Sequence, residues 1–193
     1  FESNLFYYYQ SGAINESFSD VWGELMDQTN ETGNDAGGVK WYLGEDVVGL
    51  GALRNMANPP EFNDPDMMSS NLYWTDFTDN GGVHTNSGIN NKAAQLLVDG
   101  GTFNSLSVGA IGITKTLKIY YEAQTNLLTS GSDYLDLFNA LQQACSNLAD
   151  SGVTTAADCV EVGDALEAVE MDAEPEPGFN PEAEMCTAPG TDP

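Results

Sequence analysis

Residues 12–20 read GAINESFSD and residues 79–94 read DNGGVHTNSGINNKAA. In the first stretch Glu16 and Asp20 stand four apart, which places them on one face of a helix. Like charges at that spacing cost a bare helix a little stability. A cation, or a ligand that Asp20 orients, would offset the cost; two solvated carboxylates are the plain alternative. The surrounding residues 10–28 support a helix, because Ala13, Phe18, Val21, Trp22 and Leu25 recur at near-helical spacing. In the second stretch lies His84, the only histidine of the chain. It sits in a glycine-rich turn, not on an apolar helix face. Gly81 and Gly82 permit unusual backbone angles and close approach. Asp79 is near enough in sequence to hydrogen-bond an imidazole nitrogen and fix its tautomer. A loop histidine with no task is the alternative here.

Working outward, residues 29–40 (TNETGNDAGGVK) have loop chemistry, and residues 41–85 are irregular. Within them NPPEFNDPD, at 58–66, carries prolines and Asx residues that favour turns. A long irregular stretch in a compact domain is often a functional surface. Residues 87–99 read as a helix stopped by Gly100-Gly101. Residues 106–127 read as a core helix carrying Ile113, Leu117, Tyr120, Tyr121 and Leu127. Residues 132–148, with Ser132 as cap, place Tyr134, Leu137, Phe138, Leu141, Cys145 and Leu148 on one face. Residues 155–170 open on Thr155-x-x-Asp158, a capping-box pattern, and set Cys159, Val162, Leu166 and Val169 inward. Two helices joined by a short turn run antiparallel, so Cys145 and Cys159 come within bridging reach. A disulfide is expected, worth about 3 kcal/mol in the chain-entropy model; two buried free thiols are the alternative. From Asp172 the chain turns to Pro, Glu and Ala. The expected organisation is therefore one domain over 1–171 and an acidic, Pro-rich linker or tail over 172–193, which contains the odd Cys186.

The 193 residues, 41% of them hydrophobic, suffice for one domain with a real core. No apolar run is long enough to cross a bilayer, so no membrane partner is expected. Thirty acidic residues oppose five basic ones, a net charge of -25. Such a surface repels phosphate and argues against nucleic acid as a partner. It reads as a solvated surface, and also suits a salt-adapted or cation-binding protein.

The two opening motifs, with their order and separation, resemble the thermolysin family, the neutral metalloproteases. The resemblance runs over roughly residues 1–170. It implies a mainly α fold: the helical C-terminal domain of such a protease, with a long irregular segment between its first and second major helices. The ACSNL…DC arrangement is similar to the griselysin-like branch, where such a disulfide is usual. The family further implies a secreted, extracellular zinc endopeptidase, with a peptide or protein as substrate. Carried over residue by residue, Glu16 would be the third zinc ligand. Asn15 and Asp20 would be its outer partners, Asp20 steadying a zinc-binding histidine. His84 would stabilise the oxyanion, Asp79 would orient it, and Tyr7 would help hold that oxyanion. Arg54 would bind the substrate carbonyl. Leu43, Val47 and Leu53 would line the pocket for the residue after the scissile bond, implying cleavage before bulky hydrophobic residues.

The family's HExxH motif, which supplies two histidine ligands and a general-base glutamate, is not in this sequence. In the family it lies shortly before the position of Phe1. The expectation is therefore a piece whose partner is a missing N-terminal half carrying HExxH, inactive alone and prone to association or aggregation. A non-catalytic peptide-binding or inhibitory remnant of the same fold is the alternative, and an acidic cation-buffering protein a third reading. For calcium, Asp27 and Glu45 match two family positions. Lys40 and Tyr42 stand where other ligands would be expected, and a further family calcium loop is shortened near Val48–Leu53. Asn30, Glu31, Asn34 and Asp35 are candidate substitutes.

Overall fold

The computed structural model describes residues 4–30 and 32–175. Glu31, Cys186 and nearly all of the expected tail lie outside the described residues. Helix α1, Tyr9–Asp27, is the long central element. Its buried face carries Ala13, Ile14, Phe18, Val21 and Leu25, as the spacing predicts, while Trp22 is only partly covered. Among the described residues five more α-helices follow: α2 (Thr78–Asn86), α3 (Gly88–Asp99), α4 (Ile113–Glu122), α5 (Tyr134–Asp150) and α6 (Ala156–Ala168). Their apolar faces close one core, in which Leu97, Ile119, Tyr120, Tyr134, Leu137, Leu141 and Leu166 are fully buried. Among the described residues no helix is long and apolar enough to cross a membrane.

Among the described residues, the segment between α1 and α2 holds only two short paired strands and one 3₁₀ turn. In β1 (Tyr42–Leu43) and β2 (Arg54–Asn55), Leu43 faces Arg54 across an antiparallel pair. The prolines of Pro59–Phe62 stop this segment from forming a long helix. It is held by long-range contacts, within itself and from outside. Met56 N donates to Trp41 O (2.8 Å), and Met68 N to Val169 O (3.1 Å). Lys92 Nζ, on buried α3, donates to Ala57 O (2.8 Å). Trp41 Nε1 reaches Asp99 at the end of α3 (2.7 Å).

Two expectations change. The helix read over 106–127 starts only at Ile113. Before it come β3 (Gly101–Phe103) and β4 (Leu106–Val108), an antiparallel hairpin. Asn104 and Ser105 turn it with positive φ (46° and 67°), the twist that suits a two-residue hairpin loop. Gly112, at φ 82°, then sets the start of α4, whose path continues as a wider π turn over Ala123–Leu127. Tyr121 is 60% exposed, and Ile119 takes the core place beside Tyr120. The cap of α5 is Asp133, which accepts from Asp136 N (2.8 Å), not Ser132. Ser132 Oγ instead accepts from Thr129 N (3.0 Å) in the turn before. The capping box of α6 is complete on both sides. Cys145 and Cys159 are bridged, with Cα atoms 5.6 Å apart.

Candidate functional site

Glu16 lies on the half-buried edge of α1, and two other functional candidates converge on it. Tyr7, just before α1, donates its hydroxyl proton to Glu16 Oε1. The same hydroxyl is 3.2 Å from His84 Nε2, and Nε2 is 3.4 Å from Glu16 Oε2. Loss of hydration, then the hydrogen bond and charge of Glu16, push the Tyr7 phenol up to about 12. It is thus a proton donor at neutral pH. On the far side of the ring, His84 Nδ1 meets Asp79 Oδ1 at 2.6 Å. A carboxylate only accepts, so Nδ1 carries the proton. Asp79 Oδ2 also accepts from the backbone N of His84 (2.9 Å), which grips the residue at two points.

This grip requires a rare backbone. Asp79, Asn80, Gly81 and Gly82 form one left-handed turn, with φ of 55°, 52°, 84° and 79°. Side chains raise the energy of such a conformation, glycine least. Space excludes a Cβ as well. One at Gly81 would stand 2.3 Å from the Tyr9 ring, and one at Gly82 would stand 2.5 Å from Trp74. Buried Asn86 ties the turn down by accepting from Trp74 N (2.8 Å) and donating to Trp74 O (3.1 Å). The sequence reading missed both Trp74 and Asn86; the paired glycines were the available sign that something packs against them.

Arg54 links the two motifs. Its Nη1 donates to Asp20 Oδ1 (2.9 Å) and its Nε to His84 O (3.3 Å). Asp20 is 5% exposed. Burial pushes its carboxyl up, and Arg54 and the Asn91 amide draw it back down. Asp64 lies on the same side; burial, against the pull of Arg54, raises its carboxyl to about 7. Asn15 is half-buried beside Glu16, and its carbonyl accepts from Ser19 Oγ (3.2 Å). Of the expected apolar pocket, Leu43 packs on the core and faces Arg54 across the strand pair, whereas Leu53 and Val47 are 53% and 52% exposed.

Glu16 suits zinc as a single oxygen donor, but a catalytic zinc takes three protein ligands. Among the described residues the one group of three acids, cysteines or histidines close enough to share an ion lies elsewhere: Asp27, Glu45 and Asp46. Glu45 Oε1 there is buried with no hydrogen-bond partner, as is Asp35 Oδ1. Burial, with Glu45, Asp27 and Asp35 nearby, raises Glu24 to about 7. Asp46 and Glu24 were not among the expected residues. Asn30 is committed instead to Asp27 and Thr32. Lys40 is paired to Asp99 (2.8 Å), and Tyr42 donates to Glu61 (2.8 Å).

Comparison with known proteins points to one family. The family model described as thermolysin metallopeptidase, alpha-helical domain, matches residues 3–171. A zinc metalloproteinase of Renibacterium salmoninarum is 41% identical over 175 residues, 86% of this chain and 32% of that protein. A bacillolysin of Brevibacillus brevis is 44% identical over 146 residues, 74% of this chain and 25% of its own. An extracellular elastase of Staphylococcus epidermidis is 42% identical over 171 residues, 86% of this chain and 28% of its own. The chain thus spans between a quarter and a third of the length of these relatives.

Proposed function

The chain belongs to the thermolysin metallopeptidase family, as its alpha-helical domain, and on that premise we propose that it is the C-terminal half of a secreted zinc endopeptidase. The observation that carries the reading is the convergence of Glu16, Tyr7 and His84 within hydrogen-bond reach, with Asp79 behind the histidine. Glu16 would hold the zinc together with two histidines of an HExxH helix in the N-terminal half, which would also bring the general-base glutamate. Zinc, when bound, polarises a water and the peptide carbonyl.

This chain's own residues do the rest. Tyr7, and His84 when both its ring nitrogens carry protons, aim donors at the side of the carbonyl where negative charge develops, and donors fixed in advance lower that barrier most. Asp79 holds the ring so that Nε2 faces the reaction. Arg54, anchored on Asp20, turns its remaining N–H groups to a substrate carbonyl. Leu43 and Leu53 flank it, and with Val47 they would favour a bulky hydrophobic residue after the scissile bond. Tyr7, Trp74 and Phe77 are 41%, 40% and 82% exposed around the same turn, a surface suited to cover by the missing half. The test is to express the full-length gene product and map its cuts in a peptide library. Zinc-dependent cleavage before Leu, Phe or Ile is expected, and zinc-independent or absent cleavage would overturn the reading.

Asp27 and Glu45, joined by Asp46, form the proposed calcium site, with Asp35 and Glu24 adjacent. Three clustered acids repel one another, and a hard cation with oxygen ligands relieves this. Calcium should raise the melting temperature of the full-length protein, and Glu45→Gln should remove most of that rise. An equal rise in the variant would exclude the site.

A further inference from the structure

Behind Arg54 runs a buried string of polar side chains that the catalytic reading does not use. Tyr120 OH donates to Asn90 Oδ1 (2.8 Å), and Asn90 Nδ2 to Ser17 Oγ (2.7 Å). Ser17 Oγ donates to Asn91 Oδ1 (2.8 Å), and Asn91 Nδ2 to Asp20 Oδ2 (2.7 Å). Arg54 then takes the other oxygen of Asp20. Tyr120, Asn90 and Ser17 are fully buried and Asn91 is 1% exposed. The string crosses three helices, from α4 through α3 to α1.

Its direction follows from the end point. A carboxylate can only accept, so Asn91 must turn its NH₂ to Asp20. Its carbonyl then points inward and requires a donor, and Ser17 has one proton to give. Giving it leaves the Ser17 oxygen as an acceptor, which Asn90 fills with its own NH₂. The Asn90 carbonyl is filled in turn by Tyr120. Every link is satisfied and every dipole points the same way. Remove the Ser17 hydroxyl and the Asn91 amide is held at one end only, by its bond to Asp20, so its carbonyl is free to swing.

We propose that Ser17, Asn90 and Tyr120 are positioning residues: they lock the Asn91 amide so that Asp20 presents a fixed oxygen to Arg54, which in turn reaches the His84 carbonyl. The proposal rests on the peptidase reading only for what Arg54 and His84 do; the lock itself is independent of it. A buried string can also serve stability alone, and the two roles separate experimentally. Ser17→Ala leaves buried groups unpaired, which destabilises. Ser17→Ala/Asn90→Leu/Tyr120→Phe replaces the far limb with apolar groups and leaves only the Asn91 carbonyl unpaired, a smaller cost.

Both variants are made in the full-length, zinc-loaded protein and compared by melting, by NMR of the Asn91 side-chain amide, and by steady-state kinetics. The single variant should melt lowest and the triple variant between it and the parent. In both, exchange of the Asn91 amide protons should rise about tenfold and kcat/KM should fall about tenfold. Recovery of amide exchange and kcat/KM together with the melting temperature in the triple variant would overturn the proposal, as would unchanged exchange in Ser17→Ala. If the parent cleaves no peptide, the peptidase reading fails, and amide exchange alone still decides the lock.

Discussion

The helices after Gly88 and the irregular segment from Gln28 to Phe77 hold themselves together in different ways. In α5 and α6 the inward face repeats in sequence, local caps close the helix starts, and one disulfide joins the pair. Each contribution is local and redundant. The irregular segment and the left-handed turn after it rest on single long-range contacts: Met56 on Trp41, Lys92 on Ala57, Asn86 on Trp74, Arg54 on Asp20. The functional side chains come mostly from this second kind of structure, hung on α1. A site needs unusual backbone, and unusual backbone has to be held by its surroundings.

The contrast is broken most severely by a methyl group. Gly82→Ala strains a left-handed residue and drives a Cβ into Trp74, for an expected loss of roughly 3–5 kcal/mol with displacement of His84. Gly152 has similar φ (77°) but open space around it, so Gly152→Ala should cost only about 1 kcal/mol. Denaturant melts of the two variants give the comparison, and equal losses would remove the role of Trp74. Next in size is the scaffold's own staple. Cys145→Ser/Cys159→Ser should cost about 3 kcal/mol while leaving the Tyr7–His84–Glu16 cluster intact, as read from the imidazole NMR signals.

A smaller effect separates the regions by pH. Asp64, in the irregular segment, has its carboxyl raised from 3.8 to about 7, chiefly by burial. The folded state therefore holds a proton that the unfolded state has released. The stability this contributes is complete below the unfolded value and is lost as pH rises through about 7. Asp64→Asn stays neutral, so it should gain on the parent by at most a few kcal/mol between about pH 4 and pH 7. A constant difference across that range would mean that Asp64 is ionised throughout.

The same contrast explains what could be read from residues alone. Helices α1, α3, α5 and α6 are visible in the apolar spacing, and the Thr155–Asp158 box and the cysteine pair follow from local pattern. The hairpin at 101–108 hid behind apolar residues that also fit a helical period, and only the glycines around it marked the break. Glu16, His84, Asp79 and Arg54 were found through motifs, not periodicity. The Asp79–His84 contact follows from their closeness in sequence; the others were not legible, because Arg54 reaches Asp20 over 34 positions and His84 reaches Tyr7 over 77. Ser17, Asn90 and Tyr120 look like ordinary helix residues; only the packing of α1, α3 and α4 makes them one string.

The most direct measurement is the zinc content of the full-length protein in Glu16→Ala and His84→Ala, determined beside peptidase activity. Glu16→Ala is predicted to lose both zinc and activity. His84→Ala is predicted to keep its zinc and lose most activity, because it acts on the oxyanion and not on the metal. Full zinc in Glu16→Ala, or loss of zinc in His84→Ala, would contradict the assignment of these two residues.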